Sequence, residues 1–259
     1  MLIVVSPAKA LDFDSPLATK KHSQPFMLKK SKELVSILTT KTPDDLRSLM
    51  SISDSLAELN FDRYQDWSTP FTTENSRPAI LSFSGDTYIG LDAGATFSER
   101  DFTHAQKTLR ILSGLYGMLR PLDLIQPYRL EMGSKLETHS AKDLYGFWGD
   151  DITQKINVDL QESPGEKALV NLASNEYFNS VNADEIDGTL VTPTFLDKKA
   201  GGDYKVVSFY AKRARGSMAS WIIRNRVKTT KEFKDFSEDG YRFDSNRSEP
   251  NAPVYLRSN

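Results

Sequence analysis

The run from Leu112 to Gly133 sets Arg120, Arg129 and Glu131 inside an otherwise largely apolar stretch. Three glycines, with Pro121 and Pro127, disfavour one long helix, so the chain is expected to turn repeatedly there and to pin both guanidiniums. A pinned guanidinium presents a planar fork of donors that suits carboxylate or phosphate. Two arrangements follow. Glu131 holds one fork while the other stays free for an anionic ligand, or the charges form a buried Arg-Glu bridge between loops. The first would suit an enzyme whose small anionic substrate rests on Arg120, Arg129 and Lys212, with Lys9 or Glu131 as the base.

Other chemistries have less support. The 259-residue chain contains no cysteine, which excludes disulfides, thiolate catalysis and Cys-ligated metal centres. His22, His104 and His139 are dispersed, and no Glu-x-x-His pairs suggest a di-iron bundle, so no metal site and no cofactor are expected. No stretch approaches the roughly 20 apolar residues of a membrane span, and the start lacks a basic leader, so a cytoplasmic location is expected. The net charge of -2 gives no global attraction to nucleic acid, and any such binding must come from local clustering of the 33 basic residues.

Four segments read as strands that end in polar loops: Leu2–Val5 before Ser6-Pro-Ala-Lys9, Ala79–Phe83 before Ser84-Gly-Asp86, Ala168–Leu172 before Ser174-Asn175-Glu176, and Lys205–Tyr210 before Lys212-Arg213-Ala-Arg215. In open α/β sheets the ligand crevice lies outside the carboxyl ends of the strands, so Lys9, Asp86, Asn175, Lys212 and Arg215 are expected to converge. Helices are expected over 31–38, a pair across 43–60, 98–112, 150–160 and 217–226, with two short strands at 241–243 and 254–256. The fold class is therefore α/β, mixed α+β. A single domain over 1–259 is expected, with a central, mostly buried sheet flanked by helices.

Two places suit nucleic acid. The helical pair at 43–60 has the spacing of a helix-hairpin-helix, with Ser51, Ile52 and Ser53 at the hairpin that would offer backbone N–H groups to a phosphate. Ser51 and Ser53 stand where the motif has glycines and Asp54 where it has a proline; serine resists the positive φ that glycine permits. The span from Tyr204 to Lys231 contains no acidic residue. Its Lys212, Arg213, Arg215, Arg224 and Lys228 could hold a phosphate backbone, with Ser217, Ser220, Arg224 and Lys228 on one exposed helix face. A solvated basic face is the plainer alternative.

The order Ser6-Pro-Ala-Lys9, Phe83-Ser-Gly-Asp-Thr-Tyr88, Leu112-Ser-Gly-Leu-Tyr-Gly117, Leu119-Arg-Pro-Leu-Asp123, Pro127-Tyr-Arg-Leu-Glu-Met-Gly133, Asn171-Leu-Ala-Ser174 and Phe209-Tyr-Ala-Lys212 resembles the YaaA family from end to end. The resemblance implies a bacterial cytoplasmic protein of the peroxide stress response that lowers free intracellular iron and limits oxidative damage to DNA. It also implies a single-domain α/β fold of unusual topology, with a helix-hairpin-helix and a positive cleft that binds duplex and distorted DNA without sequence preference. Lys9, Arg120, Arg129, Glu131, Lys212 and Arg215 are the positions that it carries over. It implies no settled reaction.

Overall fold

The computed structural model describes residues 1–198 and 202–258. Five strands make the central sheet: β1 (Leu2–Val5), β2 (Leu109–Ser113), β3 (Gly117–Leu119), β4 (Ala168–Leu172) and β5 (Thr189–Val191), in the order β3-β2-β1-β4-β5. No residue of β1 is more than 1% exposed, because this strand is paired in parallel along both edges and covered on both faces. β5 adds in parallel to β4, while β3 returns antiparallel to β2. The chain thus builds outward from β1 to one side and then comes back to its other side. Such a reversal leaves an opening between the carboxyl ends of the two strands where it occurs, here β1 and β4.

Helices α1 (Leu28–Leu38), α2 (Pro43–Met50), α3 (Asp54–Asp66), α4 (Asp86–Leu91), α5 (Glu99–Thr108), α6 (Asp151–Glu162) and α7 (Ser208–Asn225) flank the sheet. Three further strands, β6 (Thr194–Lys198), β7 (Arg242–Phe243) and β8 (Val254–Ser258), form a small sheet in the order β6-β8-β7. One contiguous apolar core runs from Met1 through β1, β2 and β4 to Met218, Phe236 and Tyr255. Arg110 crosses it from β2 to reach Asp159 of α6 at 2.6 Å, with both side chains almost wholly buried. No helix among the described residues is long and apolar enough to cross a membrane.

The sheet and its flanking helices bear out the expected fold class, and β1 and β4 have the expected bounds. Three local expectations are corrected. Ala79–Phe83 is not a strand: Ala79–Ser82 make one helical turn, and only Phe83 and Ser84 are extended. The helix expected to reach Leu112 ends at Thr108, after which Leu109–Ser113 is β2. A short apolar run carries no periodicity that separates buried strand from buried helix, and pairing with β1 decides the case.

The third correction matters most. Lys205–Tyr210 is not a strand, since only Lys205 forms an isolated bridge to Asp197 and α7 already begins at Ser208. Lys212, Arg213 and Arg215 therefore ride on a helix. Alanines at 211, 214 and 219, with the basic side chains themselves, are strong helix formers and carry it through. Its middle is enclosed, with Ser217 and Ser220, expected on an exposed face, only 8% and 6% exposed. The basic stripe expected along one face is thus interrupted. Lys212 and Arg224 stand at opposite ends, about 18 Å apart at the helical rise.

What holds α7 in place is a crossing with α4. A Cβ added to Gly216 would fall 1.8 Å from the Thr87 carbonyl oxygen, and one added to Gly90 would fall 2.0 Å from the Arg213 carbonyl oxygen. Only glycine lets the two backbones approach this closely. Gly216→Ala is expected to destabilise the protein by at least about 2 kcal/mol in urea unfolding, since backbone cannot yield as a flexible side chain does. Gly94→Ala, where the nearest atom is 3.9 Å away, serves as the control. Equal effects at the two positions would contradict the crossing.

Candidate functional site

At the opening between β1 and β4 lies a cleft of about 330 Å³. The segment after β1 supplies Ser6 and Lys9; the segment after β4 supplies Ser174 and Glu176; the start of α4 supplies Asp86 and Thr87; and α7 supplies Lys212 and Arg215. The strand-end expectation placed Lys9, Asp86, Lys212 and Arg215 together, and they do line one cleft. Asn175 does not line it, and its neighbour Glu176 does. The serines, Thr87 and Glu176 are the residues that the expectation missed; polar types just after a buried strand were the available signal.

The floor is tied across the two strands. The Ser174 backbone N–H donates to Ser6 Oγ at 2.9 Å, the two hydroxyls lie 3.2 Å apart, and Tyr88 OH donates to the Ser6 carbonyl at 3.1 Å. Glu176 is held by the Gly133 N–H, which donates to its Oε1 at 3.2 Å. Burial, with Glu176 and Glu131 nearby, raises the Tyr177 phenol well above its ordinary range, so it stays neutral.

Beside the cleft and sharing Lys9 and Tyr177 with it is a cluster built on Glu131. Its Oε1 accepts from Arg129 Nε at 3.0 Å, lies 2.9 Å from Arg129 Nη2, and sits 3.3 Å from Lys9 Nζ. Its Oε2 is buried with no hydrogen-bond partner among the described residues. The Tyr64 phenol anchors the same segment by donating to the Arg129 carbonyl. Arg129 is therefore engaged by Glu131.

Arg120 lies elsewhere. It follows β3, which runs antiparallel to β2, so it sits toward the amino-terminal side of the sheet rather than at the cleft. Its Nε and Nη2 donate to Asp123 Oδ1 at 3.1 and 2.9 Å, and Nη2 also donates to the Gln24 carbonyl. Asp123 is fully buried, and burial raises its pKa against the opposing pull of Arg120 and Ser23. The arginines of the apolar run thus both clip loops. Arg120 cannot share one ligand with Arg129 and Lys212, as the enzyme arrangement expected.

The guanidinium in the cleft wall is that of Arg215. It is half-buried in the cleft wall, has no hydrogen bond or ion pair among the described residues, and its pKa is lowered by burial alone. Lys212, one turn away, is exposed and equally unpaired among the described residues. Arg213 is exposed, with only a loose 3.9 Å approach to Asp239. Arg224 and Lys228 lie at the far end of α7, where Arg226 pairs with Asp101 at 2.7 Å.

The helical pair at 43–60 exists as α2 and α3. Ser51 takes the left-handed conformation, φ 51°, despite being serine, and Ser53 caps α3 by accepting from the Leu56 N–H at 3.4 Å. Arg47 bridges Asp44 and Asp54 at 3.1 and 3.0 Å. The hairpin's own side chains hold it, and Asp54 puts negative charge where a phosphate would approach.

Among the described residues, no three His, Asp or Glu side chains are grouped to hold a metal ion. His22 and His139 are exposed. Partial burial, reinforced by Arg226, lowers the His104 pKa to about 4. A family model described as peroxide stress protein YaaA matches residues 1–247 of this chain.

Two predictions follow from these placements. Arg120→Ala leaves Asp123 buried without its cation and is expected to cost about 3 kcal/mol of stability in urea unfolding, while any ligand affinity per folded molecule persists. Loss of affinity at unchanged stability would contradict the clip. For His104, the unfolded chain takes up a proton near 6.5 and the folded one only near 4, so the unfolded state binds more protons between these values. Stability should fall as pH drops through that window, and His104→Gln should flatten the fall; an unchanged slope would contradict it.

Proposed function

The chain belongs to the peroxide stress protein YaaA family, and from that premise we propose that it protects DNA under peroxide stress by holding backbone phosphates, without sequence preference, at the mouth of the cleft. The observation that carries this reading is the unpaired Arg215 guanidinium in the cleft wall, with Lys212 and Arg213 exposed beside it on an acid-free span. A guanidinium with no carboxylate partner keeps its donors for an incoming anion, and phosphate contacts need no reading of bases. The hairpin at Ser51, Ile52 and Ser53 has no part in the proposed contact, because its cap is already satisfied and Asp54 opposes phosphate. The lowering of free iron that the resemblance implies is, in this reading, indirect, since the described residues group no His, Asp and Glu for a metal.

A second reading has its own support. Asp86 and Glu176 face the same cleft, and its volume of about 330 Å³ is at the lower end of small-ligand pockets. A small phosphorylated or carboxylated substrate on Arg215 and Lys212, with its polar remainder toward Asp86 and Glu176, would suit an enzyme.

Fluorescence anisotropy of labelled duplex DNA across a salt series tests the first reading. Affinity is expected to fall steeply with salt, and Lys212→Ala with Arg215→Ala, confirmed folded by circular dichroism, is expected to reduce the slope of log K against log salt by about 2. An unchanged affinity and slope would overturn it. Thermal stabilisation by a small phosphorylated metabolite, lost in Arg215→Ala, would instead favour the second.

A further inference from the structure

Phe209 stands exposed at the start of α7, one helical turn before Lys212 and Arg213. It is 52% exposed, and Val206 just before the helix is 57% exposed. Most aromatic rings of the chain are wholly or partly enclosed, so an exposed phenyl on a helix that otherwise turns its apolar groups inward is a local departure.

The ring also leans on a braced neighbour. Phe209 meets Tyr210 edge to face, with centroids 5.5 Å apart. Tyr210 carries the Arg257 guanidinium over its face at 4.1 Å, and Tyr241 lies on the same guanidinium at 4.7 Å. Arg257 Nε donates to Asp197 Oδ1 at 2.6 Å, and that carboxylate is buried and also accepts from Tyr241 OH. Arg257 Nη2 is buried without a hydrogen-bond partner among the described residues, and Nη1 reaches only the Asp239 carbonyl at 3.5 Å, so the two ring faces and one carboxylate do most to retain the guanidinium there. A buried ion pair therefore braces Tyr210, and Tyr210 braces Phe209. A braced ring loses little freedom when a second ring is laid on it.

Charge identifies the visitor. Lys212 and Arg213 follow Phe209 by three and four residues on the same helix, so they share its face, and both are exposed, with Asp239 only loosely approaching Arg213 at 3.9 Å. A flat apolar ring with two cations one turn further along the helix matches a nucleobase attached to its phosphates, and every base has a face to stack whatever its sequence. An apolar protein partner would match Val206 and Phe209 but not the two cations.

We infer that Phe209 is a stacking platform for one unpaired nucleobase, whose flanking phosphates rest on Lys212 and Arg213. The inference rests on the DNA reading above and refines it. DNA with an extruded or unstacked base binds better than a perfect duplex because it offers a free face, and the ring within a paired duplex does not.

Two readouts on the same DNA test this: anisotropy for affinity and 2-aminopurine fluorescence for stacking, with the analogue either in a single-base bulge or fully paired. The wild-type chain is expected to bind the bulge about 5- to 150-fold more tightly than the paired duplex, the range that stacking of one base supplies, and to quench the bulged analogue. Phe209→Ala is expected to lose both preference and quenching while retaining its affinity for paired duplex, and Phe209→Trp to keep them. Binding with undiminished bulge preference and quenching in Phe209→Ala would overturn the platform and leave the phosphate reading intact. No binding of either DNA at low salt would overturn both. Self-association of the wild-type chain in sedimentation, abolished in Phe209→Ala without loss of bulge preference, would make the patch a contact between copies and would also overturn it.

Discussion

The close crossing of α4 and α7 is the constraint on which the cleft depends. Gly90 and Gly216 let two backbones meet where a methyl group on either would strike a carbonyl oxygen. That approach carries Asp86 and Thr87 on one side, and Lys212 and Arg215 on the other, to the opening that the strand order leaves between β1 and β4. The sheet alone would leave an edge of solvated loops. The crossing turns that edge into a walled cleft, and it keeps Arg215 half-buried with no ion pair among the described residues.

Charge is handled in two ways. Within the fold, four arginines are matched by carboxylates, Arg110 to Asp159, Arg120 to Asp123, Arg129 to Glu131 and Arg257 to Asp197, while the buried Arg77 donates its Nε to the Leu81 carbonyl at 3.3 Å. Removing one partner from such a pair leaves the other without compensation, which makes these pairs structural commitments. At the mouth of the cleft the rule changes. Lys212 and Arg215 carry charge with no internal claimant among the described residues, and the functional reading starts from that difference.

Much of this was legible in the residues, and what was not has physical causes. β1 is short, wholly apolar and followed at once by Ser6, and β4 is apolar but for Asn171 and followed after Ala173 by Ser174, so their bounds and the cleft at their ends could be read directly. α7 could not, because Val206, Val207, Phe209 and Tyr210 favour a strand locally while the alanines and basic residues after them favour a helix; packing of Gly216 onto Thr87 decides for the helix. Arg120 and Arg129 drew notice as charges in an apolar run, yet the partners that neutralise them, Asp123 and Glu131, lie within the same run and only geometry shows that both are engaged. Ser51 shows the converse: a serine adopts the left-handed turn expected of glycine, so residue type alone did not exclude the hairpin. The brace from Asp197 through Arg257 and Tyr210 to Phe209 joins segments more than 50 residues apart and has no local signature.

The central claim is that Arg215, half-buried in the cleft wall without a partner among the described residues, meets phosphate. A crystal structure of the protein with a short bulged oligonucleotide tests it most directly. A backbone phosphate oxygen within hydrogen-bond distance of Arg215, with Lys212 beside it, is the predicted result. A phosphate seated on the Ser51–Ser53 hairpin, with the cleft free of nucleic acid, would contradict the account.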